Sequence, residues 1–135
     1  MVDGKPIALQ DIRTPMFSVS TMRDHVAPWK SVYKILLFTE SDVTFVLTSG
    51  GHNAGIVSEP GHKGRSYQIS TMPSTARYTP PGQWQTNTPT KEGSWWEEWQ
   101  KWLDTHTSGK IKTPAMGSKD YSPTEDAPGS YVRMS

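Results

Sequence analysis

Asp24 and His52 have the residue types and the placement for proton transfer. Each follows a segment that reads as a β-strand, so each falls at a strand's carboxyl end, where open α/β sheets gather their sites. The separation of 28 residues is spent on one helix and one strand, which return the chain to a neighbouring position at the same sheet edge. A carboxylate there accepts the Nδ1 proton of the imidazole, fixes its tautomer and stabilises the imidazolium; Nε2 then takes a proton from a nucleophile. Acid followed by histidine is also the order of the last two members of a nucleophile–acid–histidine triad. Residue types alone leave a plainer account standing, in which Asp24 caps the next helix and His52 is a polar turn residue.

The nucleophile is the gap. The chain contains no cysteine, which excludes disulfides, thiolate metal sites and a cysteine nucleophile from its own residues. The stretch before Asp24 is too short for a glycine-x-nucleophile-x-glycine elbow together with its helix and a further strand. Ser18 and Ser20 lie within a strand, and Ser49 would have to fold back onto its near neighbour His52. His25 reads as a polar residue packed beside the acid, and His62 and His106 as solvated. No histidine pair has a ligand spacing such as HxH or HxxxH, so neither a metal nor a cofactor is expected.

The elements that must position the pair are legible around it. Met16–Thr21 alternates as a strand entered through Pro15, where a missing donor costs least. After Asp24, Pro28 suits the first turn of a helix, and Trp29, Val32, Tyr33, Leu36 and Leu37 form one apolar stripe over about ten residues. Val43–Leu47 carries apolar residues on both faces, the pattern of an interior strand. Strand, helix and strand make a βαβ unit with parallel strands. Gly50 and Gly51 then let the backbone turn tightly and present His52 at the tip.

Beyond this unit, residues 58–93 are rich in proline and glycine, and only Ser66–Ser70 resembles a strand; the stretch reads as a long excursion. Ser94 with Glu97 reads as a capping box opening a helix to Asp104, with Gly109 as a C-capping candidate. Trp95, Trp96, Trp99 and Trp102 give that helix a broad aromatic flank. Stacking on a sugar or base is one use for such a flank; helical spacing favours packing. Residues 110–135 have little periodicity and read as an extended tail, leaving 1–109 as the one domain.

Composition narrows the function classes. Hydrophobic residues are 33% of the 135, Pro and Gly number 11 each, and the formal net charge is +1. With no basic block there is no nucleic-acid face. No apolar run approaches the ~18 residues of a membrane span, and the amino terminus lacks a signal-peptide core. A soluble, cytoplasmic protein is expected.

The stretches Arg23–Tyr33 and Phe45–Val57, with Lys63–Tyr67, Gly93–Trp99 and Ala127–Val132, resemble the carboxyl-terminal part of polyhydroxyalkanoate synthases. The resemblance runs from Val2 to the end of the chain. It implies an α/β fold, namely the carboxyl-terminal portion of an α/β-hydrolase-like catalytic domain: a strand–helix–strand unit, an aromatic-rich helix and long irregular segments. It also implies a Cys–Asp–His triad that moves 3-hydroxyacyl groups from coenzyme A thioesters to a growing polyester, with Asp24 as the acid and His52 as the base. His25 matches a histidine that commonly follows the acid. Asn53 stands where an aliphatic residue is more usual, and Thr48-Ser49 is a second departure. The cysteine elbow has no counterpart, so this chain alone is expected to be inactive. The implied partner is the remainder of the synthase carrying the cysteine, or a second copy of the chain; polymer-granule association belongs to the complete enzyme. A non-catalytic interaction module and part of a serine hydrolase are the alternative readings.

Overall fold

A computed structural model describes residues 1–134. One four-stranded sheet, in the order β1-β2-β3-β4, organises them. The first strand, β1 (Met16–Thr21), runs parallel to β2 (Val43–Thr48), in register from Met16 opposite Val43 to Thr21 opposite Thr48. All six residues of β2 are buried, because its apolar side chains meet cover on both faces.

The crossover is shorter in α-helix than its stripe implies. Helix α1 (Trp29–Val32) tightens into a 3-10 turn over Tyr33–Leu37. At three residues per turn Tyr33 and Leu36 share a face, while Leu37 rotates away and is 52% exposed. Trp29 and Tyr33 pack beneath the sheet with Phe45, Leu47 and Trp84. Tyr33 and Phe45 meet edge to face at 5.0 Å, and Phe45 and Trp84 at 5.2 Å, the arrangement that ring quadrupoles favour.

Residues 58–93 are not the irregular excursion that their composition implies. The strand read at Ser66–Ser70 is present as β3 (Ser66–Met72), antiparallel to β2, and it is followed by helix α2 (Pro81–Asn87) and the short strand β4 (Thr90–Glu92), antiparallel to β3. Pro81 opens α2, where its missing N–H is no loss. Trp84 closes the core and donates from Nε1 to Ser70 Oγ at 2.7 Å. Gln68, buried on β3, donates from its amide to Gln85 O at 2.8 Å and also to Thr88 O, tying α2 to the sheet.

The opposite face of the sheet presents Phe17, Val19, Val46, Tyr67 and Ile69 to the tryptophans of α3 (Trp96–Thr105). Residues 110–134 contain one 3-10 turn at Tyr131–Arg133 and are almost wholly exposed. Among the described residues no helix is long and apolar enough to cross a membrane.

Candidate active site

The parallel ladder carries both candidate residues to one end of the sheet. Past β1, Met22 N donates to Thr48 O and Arg23 N to Gly50 O, each at 2.9 Å, so the chain stays paired up to the residue before Asp24. The Asp24 carboxylate then does two jobs. Oδ1 accepts the N–H groups of Val26 and Ala27 at 2.8 and 2.9 Å, closing the turn that leads to Pro28. Oδ2 lies 2.8 Å from His52 Nδ1. Asp24 therefore does not cap α1, whose N-cap is Pro28 with no side-chain cap bond; one of its oxygens closes the turn before the helix and the other meets the imidazole.

These contacts favour the charged carboxylate and fix the tautomer of the ring. The Ala27 N–H and then the His52 ring hold the Asp24 carboxyl below its ordinary value of 3.8. An ionised carboxylate only accepts, so Nδ1 of His52 is the donor and the lone pair of neutral His52 is on Nε2. The Asp24 side chain is 9% exposed and that of His52 50%. The acid is shielded, while the imidazole remains open to an incoming group.

The turn after β2 presents His52, but through a different glycine pair from the one expected. Gly50 has φ +109°, and a Cβ there would lie 2.9 Å from the backbone of Gly55. A Cβ on Gly55 would meet Thr21 Cγ2 at 2.5 Å and Ser49 O at 2.7 Å. Gly51 has open space around it. Gly50 and Gly55 therefore let the loop close on itself and press against the last residue of β1. Their contacts are what bring the ring over Asp24.

The amino end of α3 holds the far side of that loop. Trp95 Nε1 donates to Gly55 O at 3.1 Å, Trp96 Nε1 to Ile56 O at 2.9 Å, and Ser94 Oγ to Ser58 O. The expected capping box is only half present. Ser94 Oγ accepts from Trp96 N at 3.0 Å, but Trp95 occupies the cap position and Ser94's own proton goes to the loop. The helix ends at His106, whose N–H bonds Leu103 O, and not at Gly109. Apolar periodicity treats indole rings as packing and is blind to these donors; two adjacent tryptophans, each needing an acceptor, were the available signal.

The other candidates lie elsewhere. His25 is exposed and has no hydrogen bond among the described residues. His62 pairs with Glu59 at 2.9 Å, and His106 stacks on Trp102 with centroids 4.0 Å apart. Ser49 Oγ accepts from Ser66 N at 3.0 Å, so its hydroxyl is engaged by β3. Among the described residues no hydroxyl bonds His52 Nε2, and no cluster of potential metal ligands occurs.

A parallel-strand sheet edge carrying an ordered carboxylate–imidazole pair defines a protein with a candidate general base and its orienter. No family model matches the chain. It is 38% identical over 133 residues to the poly(3-hydroxyalkanoate) polymerase subunit PhaC of Rhizobium etli, covering 98% of this chain and 20% of that protein. Identity to poly(3-hydroxyalkanoate) polymerase 2 of Ectopseudomonas oleovorans is 36% over 133 residues, with 97% and 23% covered. To the PhaC subunit of Cupriavidus necator it is 32% over 134 residues, with 98% and 22% covered. The chain is thus homologous to PhaC-type poly(3-hydroxyalkanoate) polymerases along nearly its whole length, and it spans about a fifth of the length of these relatives.

Proposed function

We propose that this chain corresponds to the carboxyl-terminal part of a poly(3-hydroxyalkanoate) polymerase and supplies the acid and base of a Cys–Asp–His triad. Residues 1–109 are on this reading part of an α/β-hydrolase-like catalytic domain, and 110–135 an extended tail. The observation that carries it is the Asp24–His52 hydrogen bond of 2.8 Å at the ends of adjacent parallel strands. Homology to the polymerases supports it.

In the proposed reaction His52 Nε2 takes the proton of a cysteine thiol carried by the rest of the synthase. The thiolate attacks the carbonyl of a 3-hydroxyacyl-coenzyme A thioester, and coenzyme A leaves with the proton returned by the imidazolium. In the second half His52 accepts the proton of a hydroxyl, whose oxygen attacks the acyl-cysteine; the ester forms and the cysteine departs as a thiol. Asp24 stays ionised throughout and holds the ring. Acyl transfer also needs oxyanion donors, which belong with the nucleophile. Partners are thus the cysteine-bearing remainder of the synthase, in the cytoplasm or on polymer granules.

Incubating the isolated chain with 3-hydroxybutyryl-coenzyme A and a thiol reagent tests this reading. Release of coenzyme A is expected at the rate seen without protein. Robust turnover abolished by His52→Ala would contradict it.

A second reading has its own observation. The outer edge of β1 pairs with no strand among the described residues, and Trp99 is 43% exposed on α3. An interaction module that hides this edge in a dimer would use both.

A further inference from the structure

We propose that Ser94, Trp95 and Trp96 are positioning residues for His52, forming a clamp that sets the histidine against Asp24. This inference rests on the acid–base reading of that pair and adds residues that touch neither of its members.

The segment that carries His52 is held internally by turn bonds alone. Gly55 N bonds Gly51 O at 3.1 Å, and Ile56 N and Val57 N both bond Asn53 O at 3.0 Å. These bonds use the loop's donors and leave the carbonyls of Gly55, Ile56 and Ser58 to find partners elsewhere. Three consecutive side chains at the start of α3 supply them. Trp95 is 6% exposed and packs with Val46 and Tyr67 of the sheet, and its ring stacks with that of Phe17 at 6.2 Å. The clamp is therefore anchored in the core.

Opposite the clamp, Gly55 abuts Thr21, three residues before Asp24. The loop is held between the limb that carries the acid and the helix that carries the indoles. An exposed turn is otherwise among the most mobile parts of a fold. Phenylalanine at 95 or 96 would keep an aromatic surface but lacks the second ring and its N–H, the donor that each tryptophan gives to a loop carbonyl. The choice of indole at both positions is thereby explained by hydrogen bonding to the loop, which packing alone does not require.

The test is the hydrogen-exchange rate of the His52 Nδ1–H, read by NMR on the full chain. Trp96→Phe keeps one aromatic ring and removes the pyrrole ring with its donor from a partly buried site, and Trp99→Phe loses the same atoms. Trp96→Phe is expected to speed exchange about fivefold, the equilibrium equivalent of one ordinary net hydrogen bond. Trp95→Phe is the more severe counterpart. Trp99→Phe is the control, since Trp99 packs on Trp95 at 6.0 Å but gives the loop no hydrogen bond; exchange should stay at the wild-type rate. Unchanged exchange in Trp96→Phe, or equal acceleration in Trp99→Phe, overturns the clamp. Asp24→Asn separates the two layers: if it fails to accelerate exchange, the acid–base pair itself is lost, whatever the tryptophans do.

Discussion

At the residue scale the site is one carboxylate shared between a turn and a ring. Because its bonds to the Ala27 N–H and the His52 ring depress the Asp24 pKa below 3.8, the ionised form stabilises the fold. The sign follows from the direction: this stabilisation is present above 3.8 and is lost as pH falls through the lower folded-state value. Urea unfolding of the wild type and of Asp24→Asn across the acid range is expected to give curves that converge as pH falls below 3.8. A constant gap down to the lowest pH at which the chain folds would contradict the assignment. Asp24 and His52 were legible as neighbours because each follows a strand whose pattern is plain, so the parallel topology carries both to one end of the sheet, where the glycine turn sets the ring. Trp95 and Trp96 were not, because an apolar pattern records the ring and omits its N–H.

At the element scale the glycine turn is the joint on which the site depends. Gly55→Ala places a methyl against Thr21 Cγ2 and Ser49 O and is expected to cost about 1–3 kcal/mol by overpacking. Gly51→Ala meets nothing within 4 Å and should change stability little. Chemical denaturation of the two variants checks the contrast, and equal stability would contradict the close approach. The βαβ unit was readable because β1 and β2 have strand patterns and the crossover has a stripe. Of the elements after it, β3 and α3 were readable, while α2 and β4 were hidden by their brevity. Helix α2 buries a single apolar side chain, Trp84, and β4 is three exposed residues paired to β3. Neither is long enough to establish a period, and both are held by tertiary contacts such as Gln68 to Gln85 O.

At the scale of the whole molecule, a sheet whose parallel edge is open among the described residues carries the candidate base and orienter, and the chain has no cysteine. The account therefore requires that the chemistry be completed from outside this sequence. Its central claim is tested most directly by exchanging this chain for the matching segment of the Rhizobium etli polymerase subunit and measuring coenzyme A release from 3-hydroxybutyryl-coenzyme A. The account predicts turnover that falls by about 10²–10⁴-fold in His52→Ala. Turnover equal in the His52→Ala hybrid and its parent would contradict it.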